Sequence, residues 1–290
     1  MYNILVTGAE GQLGQCFQAL AIEYPMHNLF FLSKKDLDIN KALNLDKVYD
    51  QNPFDGIINC AAYSNVDKAE KESKRAYEIN ELGIKTLVSY AKKKNLFLIH
   101  FSTDYVFDGA SCVPLREEHP KNPLNNYAQS KLAGEKILSK ASCSHTTFRI
   151  SWLFSPFGNN FVKKILKLSN LNKEIKVVND QLGSPTYGID LARVVLDNFT
   201  NPRFFDFECY HFTNKGGTSW FEFAKKIIEI SKKDCSIEPC LTTEYKTLAI
   251  RPKYSILDTK RIENHLSLSI PSWENALERC LNKYNLNELI

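Results

Sequence analysis

The chain has 290 residues, 43% hydrophobic and 24% charged, with a formal net charge of +4, enough apolar material for one large domain or two coupled lobes. The charge is too mild and too dispersed to imply a nucleic-acid partner, and no apolar run or basic, leader-like opening calls for a membrane span or export, so a cytoplasmic protein is expected. Its eight cysteines form no C-x-x-C pair and no Cys/His cluster, which fits reduced thiols better than disulfides or zinc.

In chain order, NILVTG precedes a helical pattern at 12–23, NLFFL one at about 41–51, DGIINCAA one at about 74–94, and LFLIHFS one at about 128–140, with TTFRIS closing the series. Strands apolar at consecutive positions belong in a sheet covered on both faces, and their alternation with helices calls for parallel pairing through right-handed crossovers. The expected fold is α/β, a doubly wound parallel sheet of Rossmann type. Beyond about residue 151 the rhythm loosens, and SPFGNN, NDQLGSPTYG and NKGGTSW supply turns between helices at about 160–169, 189–199, 219–232 and 272–284. This predicts a dinucleotide-binding domain over 1–151 with return segments near 187–213, and a smaller C-terminal α/β substrate-binding lobe from 152–186 and 214–290.

The first strand runs into Gly8, Gly11 and Gly14, with Gln12 and Leu13 between the last two, and a helical pattern follows at once. That context gives each glycine a task in a phosphate site: the tight turn, the close backbone approach, and the contact between helix and strand. A plain tight turn is the alternative. At the end of the second strand Ser33, Lys34 and Lys35 come before any acid, which favours the 2′-phosphate of NADPH over NADH, unless the lysines merely solvate a loop.

The stretch YAQSK sets Tyr127 and Lys131 four residues apart, on one face of a helix. Upstream, FSTDYVFDG places Ser102 and Thr103 at the carboxyl edge of the fourth strand, where open α/β sheets bind ligands. A phenol with a reference pKa of about 10 is a poor acid at neutral pH, but a neighbouring ammonium lowers that value. Tyr127 could then protonate a carbonyl oxygen as hydride reaches its carbon.

Strand, glycine turn, hydroxyl-bearing strand end and Tyr-x-x-x-Lys in this order resemble the extended short-chain dehydrogenase/reductase family. NCAAYSNVDKAE (59–70), FSTDYVFDG (101–109), PLNNYAQSKLAGEK (123–136), FRISWLF (148–154), GNNFVKKIL (158–166), NDQLGSPT (179–186) and RPKYSILDTK (251–260) are similar to the ordered signature segments of the dTDP-4-dehydrorhamnose reductase family. The resemblance implies reduction of the 4-keto group of dTDP-4-dehydro-6-deoxy-L-mannose to dTDP-L-rhamnose. It casts Thr103 as a hydrogen-bond partner of the keto oxygen and Tyr127 as the proton donor. Lys131 would hold the nicotinamide ribose and lower the Tyr127 pKa. Gly8, Gly11, Gln12, Leu13 and Gly14 would take the pyrophosphate, Asp38 and Ile39 would lie near the adenine, and Ala61, Ala62 and Tyr63 would flank the middle of the cofactor. Val66, Asp104, Tyr105 and Trp152 would shape the sugar pocket, and Asn160, Gln181, Ser184 and Arg251 would serve the nucleotide diphosphate.

Each assignment has a plainer reading: Trp152 as a core aromatic, Asp104 as a turn residue, Asn160 as a helix cap, Arg251 as the partner of a surface carboxylate. Some family members bind magnesium through an acid early in the first helix, where this chain has Cys16, so no metal is expected. The oligomeric state stays open, a homodimer included. Two rival functions stay open as well. One is a reductase, epimerase or dehydratase of a related nucleotide 4-keto sugar, although Thr103-Asp104-Tyr105 differs from the Thr-Asp-Glu pattern of the dehydratases. The other is a non-catalytic, NADP-binding regulatory subunit.

Overall fold

The computed structural model describes residues 1–283. Its strands are β1 (Tyr2–Thr7), β2 (His27–Leu32), β3 (Gly56–Asn59), β4 (Phe97–Thr103), β5 (His145–Ile150), β6 (Leu153–Phe154), β7 (Glu174–Val178), β8 (Leu182–Gly183), β9 (Thr186–Tyr187), β10 (Cys209–His211), β11 (Thr218–Ser219) and β12 (Ser236–Cys240). Its α-helices are α1 (Gln12–Leu20), α2 (Ala42–Gln51), α3 (Val66–Ala69), α4 (Ser73–Tyr77), α5 (Gly83–Lys94), α6 (Asn126–Leu138), α7 (Phe161–Leu171), α8 (Gly188–Asn198), α9 (Trp220–Ser231), α10 (Lys260–Leu266) and α11 (Trp273–Asn282). The helix expected at 272–284 and the lobe expected to reach 290 both extend past the described residues.

Six strands form one sheet in the order β10-β5-β4-β3-β1-β2, every pair parallel. Successive residues of a strand face opposite sides, so an unbroken apolar strand needs cover on both. That is its situation here. Ile4, Val6, Ile58 and Ile99 join the large core beneath α1 and α8, while Leu5, Ile57 and Leu98 join a second core beneath α2 and α5. The strand order reverses between β1 and β3, and the crevice beyond their carboxyl ends is where such sheets take ligands.

The helical pattern at 74–94 is not one continuous α-helix. Between α4 and α5 the backbone widens into a π-turn at Glu78–Leu82, a form often found at functional sites. The widened turn carries Asn80 inward, and α6 crosses it closely at Gly134, where an added Cβ would stand 2.3 Å from the Asn80 carbonyl oxygen. Above β4 and β5, the space beneath α6 is polar. Arg149 is buried there, its guanidinium donating to both carboxylate oxygens of Glu135 and to the Glu117 carbonyl.

Past β5 the strands are shorter. β7 pairs in parallel with β12, and β8 with β11 and β6 with β9 make two-residue contacts. Helices α7 and α9 pack beside one another there, and α9 also packs on β7 and β12.

Candidate active site

The turn after β1 is shaped by steric necessity. Gly8 has φ +65°, and a Cβ on it would lie 2.6 Å from the Ala61 nitrogen, so the end of β1 touches the end of β3 through a residue that can only be glycine. Gly11 N–H donates back to the Gly8 carbonyl at 2.9 Å, and Gly11 then caps α1 without any side chain, leaving the first amides of α1 for a ligand. Gln12 Nε2 is buried beside this turn with no hydrogen-bond partner. A narrow backbone cradle at a helix N-terminus with a spare donor fits a pyrophosphate.

A cavity of about 210 Å³ opens from this cradle and is lined by Gly8, Gly11, Lys34, Asp38, Ile39, Ala61 and Ala62, with Asn40, Cys60 and Ile79. Of these, Lys34, Asp38 and Ile39 were expected at the adenosine end, Gly8 and Gly11 at the pyrophosphate, and Ala61 and Ala62 at the middle of the cofactor, while Asn40, Cys60 and Ile79 were not expected. Three others are placed elsewhere. Leu13 turns its side chain into the core. The Ser33 hydroxyl donates to Asp36 at 2.7 Å and accepts the Lys35 amide, so it closes the turn after β2. Tyr63 is buried, its N–H donating to Asn80 Oδ1 and its hydroxyl to Glu72.

At the carboxyl edge of β4, Thr103 Oγ1 donates to Asp104 Oδ1 at 3.1 Å and accepts the Tyr105 N–H. Tyr127 stands beside it in the first turn of α6, whose start is clamped: Asn125 caps it and reaches the Ile250 carbonyl, and Glu70 takes the Asn126 N–H at 2.9 Å. The Tyr127 and Tyr105 rings meet edge to face at 6.4 Å.

The electrostatics depart from expectation in one respect. Burial pushes the Tyr127 phenol up to about 12; a hydrogen bond with Thr103 pulls it down and the Asp104 charge pushes it further up. Lys131 is not among the groups that lower it. The reason is geometric: Lys131 is 2% exposed, and its Nζ is turned to the Phe101 carbonyl at 2.6 Å and to His100 Nε2 at 3.2 Å.

Asp104 is 2% exposed, and burial pushes its carboxyl up to about 7, partly offset by the Ser255 and Thr103 hydroxyls. Because the folded-state value lies above the ordinary one, the native protein holds this proton more tightly, and stability drains away as pH rises from about 4 to about 7. Asp104→Asn should accordingly gain on wild type by a few kcal/mol between pH ~5 and pH ~8, read from Tm at the two pH values.

A second cavity, of about 490 Å³, is lined by Asp67, Phe161, Lys164, Lys176, Gln181, Trp220, Tyr245, Lys246 and Arg251, among others. Arg251 donates to both Asp67 carboxylate oxygens, at 3.2 and 2.6 Å, and Asp67 also accepts the Leu248 and Ala249 amides. Arg251 thus pairs with a carboxylate, and the pair lines the cavity. Gln181 is buried against Thr242.

The remaining candidates do not line this cavity themselves. Trp152 has φ +46°, stacks on Trp220 at 3.6 Å, and lies so close over Gly183 that a Cβ there would be 2.5 Å from the indole. Asn160 caps α7 and donates to the Ser155 and Phe157 carbonyls, so its amide is fully engaged in the local fold. Ser184 is 1% exposed, its carbonyl accepting from Ser151. Val66 opens α3 immediately before Asp67.

Sequence reasoning missed Asn80, which bonds both main-chain groups of Tyr63 and donates to Ser130 Oγ, tying the cofactor cleft to α6. An isolated Asn inside a helical pattern gives no warning of this. It also missed Lys164, Lys176, Tyr245 and Lys246; cations and a Tyr near the expected diphosphate segments were the available signal. Among the described residues no group of three or more His, Cys, Asp or Glu could hold a metal ion.

A glycine turn at the switch point of a parallel sheet, with Thr, Tyr and Lys gathered at the edge of β4, defines a nicotinamide-dinucleotide oxidoreductase of the short-chain dehydrogenase/reductase type. Residues 2–286 match the model of the RmlD substrate binding domain, and the chain belongs to that family. It is 36% identical to the spore coat polysaccharide biosynthesis protein SpsK of Bacillus subtilis, over 98% of each chain. It is 35% identical to the dTDP-4-dehydrorhamnose reductase of Aggregatibacter actinomycetemcomitans, over 96% of this chain and 98% of that one. The crystal structure of dTDP-4-dehydrorhamnose reductase from Bacillus anthracis in complex with NADP superposes with a TM-score of 0.92 at 37% identity, covering 98% of this chain and 99% of that one.

Proposed function

We propose that the protein reduces the 4-keto group of dTDP-4-dehydro-6-deoxy-L-mannose to give dTDP-L-rhamnose, with NADPH as cofactor and NADH as the weaker alternative, as a step in polysaccharide biosynthesis. The observation that carries this is the meeting of the Thr103 and Tyr127 hydroxyls at the edge of β4, one helical turn from Lys131. The relatives named dTDP-4-dehydrorhamnose reductase support the substrate, and the NADP complex supports the cofactor.

When bound, the cofactor supplies hydride. The chain's own residues do the rest. Gly8, Gly11 and Gly14 give the backbone approach for the pyrophosphate, with Gln12 and the amide of Leu13 as donors; Lys34 offers a cation for a 2′-phosphate, and Asp38 and Ile39 line the adenine end. Ala61, Ala62 and Tyr63 form the middle wall. Thr103 orients the keto oxygen and Tyr127 gives up the proton, with Lys131 free to reach the nicotinamide ribose once it leaves His100. The second cavity suits the nucleoside diphosphate: Phe161, Trp220 and Tyr245 offer apolar faces, and Lys164, Lys176, Lys246 and Arg251 offer cations. Val66, Asp104, Tyr105 and Trp152 shape the sugar space between the two cavities, with Asn160, Gln181 and Ser184 framing the diphosphate end.

Residues 1–151 with the 187–213 return act as the cofactor domain, and 152–186 with 214–290 as the substrate lobe. We place the reaction in the cytoplasm and take a homodimer as the working assembly. No helix among the described residues is long and apolar enough to cross a membrane.

The test mixes purified protein, NADPH and the keto sugar nucleotide, follows absorbance at about 340 nm, and identifies the product by NMR. Loss of absorbance with a rhamnosyl product is expected. NADPH binding without oxidation by any nucleotide keto sugar would instead make this a regulatory subunit, and a product inverted at another carbon would make it an epimerase or a reductase of a related sugar.

A further inference from the structure

Beneath Lys131 runs a row of buried polar side chains with no part in the reaction as proposed. Thr7, Asn59 and His100 are each 1% exposed and Lys131 2%. Strand register brings them together, pairing Thr7 with Asn59 across β1 and β3, and Asn59 with His100 across β3 and β4. Thr7 Oγ1 donates to Asn59 Oδ1 at 2.6 Å, Asn59 Nδ2 is 3.1 Å from His100 Nδ1, and His100 Nε2 is 3.2 Å from Lys131 Nζ.

The backbone fixes the direction of the whole row. The Ala61 N–H can only donate, and it donates to Asn59 Oδ1 at 3.3 Å, so the NH2 end of that amide faces His100. An amide NH2 cannot accept. His100 Nδ1 must therefore present its lone pair, and the neutral ring carries its hydrogen on Nε2, pointing at Lys131. Burial holds His100 well below the ordinary imidazole range, so a doubly protonated ring does not arise. Opposite an Nε2–H, an ammonium would set hydrogen against hydrogen. An amine fits, because its lone pair accepts from His100 while one of its hydrogens goes to the Phe101 carbonyl at 2.6 Å.

We infer that Thr7, Asn59 and His100 form a directed hydrogen-bond row that favours the neutral amine of Lys131 over its ammonium, which makes His100 a positioning residue. Its bearing on turnover rests on the function proposed above, but its existence does not. Four groups face this arrangement. Tyr127 lies one turn back on α6 with its phenol protonated, and Glu135 lies one turn on with its carboxylate committed to Arg149. His100 faces it from β4, with His145 beyond it on β5. Burial pushes Lys131 down to about 8, with Glu135 pulling the other way. A ligand that draws Lys131 off His100 removes that bias, so at a pH near 8 its binding should be accompanied by net proton uptake.

The experiment is long-range proton–nitrogen NMR of the ligand-free protein, in which the six His rings are resolved and His100 is assigned by the signals missing in His100→Gln. The expected spectrum has His100 protonated at Nε2 and bare at Nδ1. In Asn59→Asp a carboxylate would accept from Nδ1 instead. That should reverse the tautomer and raise the Lys131 titration midpoint, followed at its Cε, by about one pH unit. A wild-type His100 protonated at Nδ1 overturns the inference whether or not the variant folds, and so does a tautomer that Asn59→Asp leaves unchanged. Neither measurement needs substrate, so an enzyme that turns over with the wrong tautomer removes only the row, and an inactive protein with the expected tautomer removes only the proposed reaction.

Discussion

Tyr127→Phe should lower kcat by about 10²- to 10⁴-fold while NADPH affinity and Tm stay close to wild type. The change removes one oxygen and keeps the ring that meets Tyr105 edge to face at 6.4 Å, so the packing of the first turn of α6 is preserved. What is lost is the hydroxyl that stands beside Thr103 to give a proton to a carbonyl oxygen. With the phenol pushed up to about 12, Tyr127 carries its proton throughout the neutral range, which is the state a donor needs. The same value makes the phenol reluctant to release that proton, so a Lys131 ammonium turned toward it would prime the donor. Steady-state kinetics at saturating NADPH, paired with a fluorescence titration of cofactor binding, checks both halves. A variant retaining more than about a tenth of wild-type kcat would remove Tyr127 as the donor.

The parallel sheet was legible from sequence because a strand buried on both faces has a simple signature, an apolar run with no alternation, and β1, β3 and β4 have it. β7 and β12 lack it. β7 carries exposed residues at Glu174 and Lys176, and β12 is buried only at Cys240 and includes Pro239, so neither reads as a covered strand. The two-residue strands are too short to carry any period. At the site, Gly8 and Gly14 were legible because backbone crowding leaves glycine as the only residue that fits. The Asp67–Arg251 pair, separated by 184 positions, was not, since nothing local in either segment refers to the other. The row from Thr7 to Lys131 was hidden for the same reason: it exists only once β1, β3 and β4 are set in register. The reversed expectation for the Tyr127 pKa came from reading a helical spacing as a contact. Lys131 does share a face with Tyr127, but its amine had a carbonyl and an imidazole within closer reach.

Gly14→Ala should both destabilise the protein and abolish tight cofactor binding, whereas Gly11→Ala should weaken binding and leave the fold intact. Both positions have ordinary backbone angles for an L-residue, so the difference is purely one of space. A Cβ on Gly14 would lie 2.4 Å from the Gly8 carbonyl oxygen and 2.7 Å from Ala9 Cα, both main-chain atoms of the turn itself, and α1 could make room only by lifting off the sheet. Against that, the gain in helix propensity from Gly to Ala is about 1 kcal/mol, smaller than the ~1–3 kcal/mol or more that overpacking a rigid contact costs. On Gly11 the nearest atom to an added Cβ is the Gly8 carbonyl oxygen at 3.1 Å, a tight contact that a few tenths of an ångström relieve. Its methyl group would instead narrow the cradle in front of the first amides of α1, where the pyrophosphate must approach to hydrogen-bond distance. Thermal unfolding and NADPH titration of the two variants separate these effects: a lower Tm with at least tenfold weaker binding for Gly14→Ala, and weaker binding alone for Gly11→Ala. Wild-type affinity in both would mean that the cofactor does not sit on this turn, because no other feature of β1 or α1 offers it unpaired backbone donors.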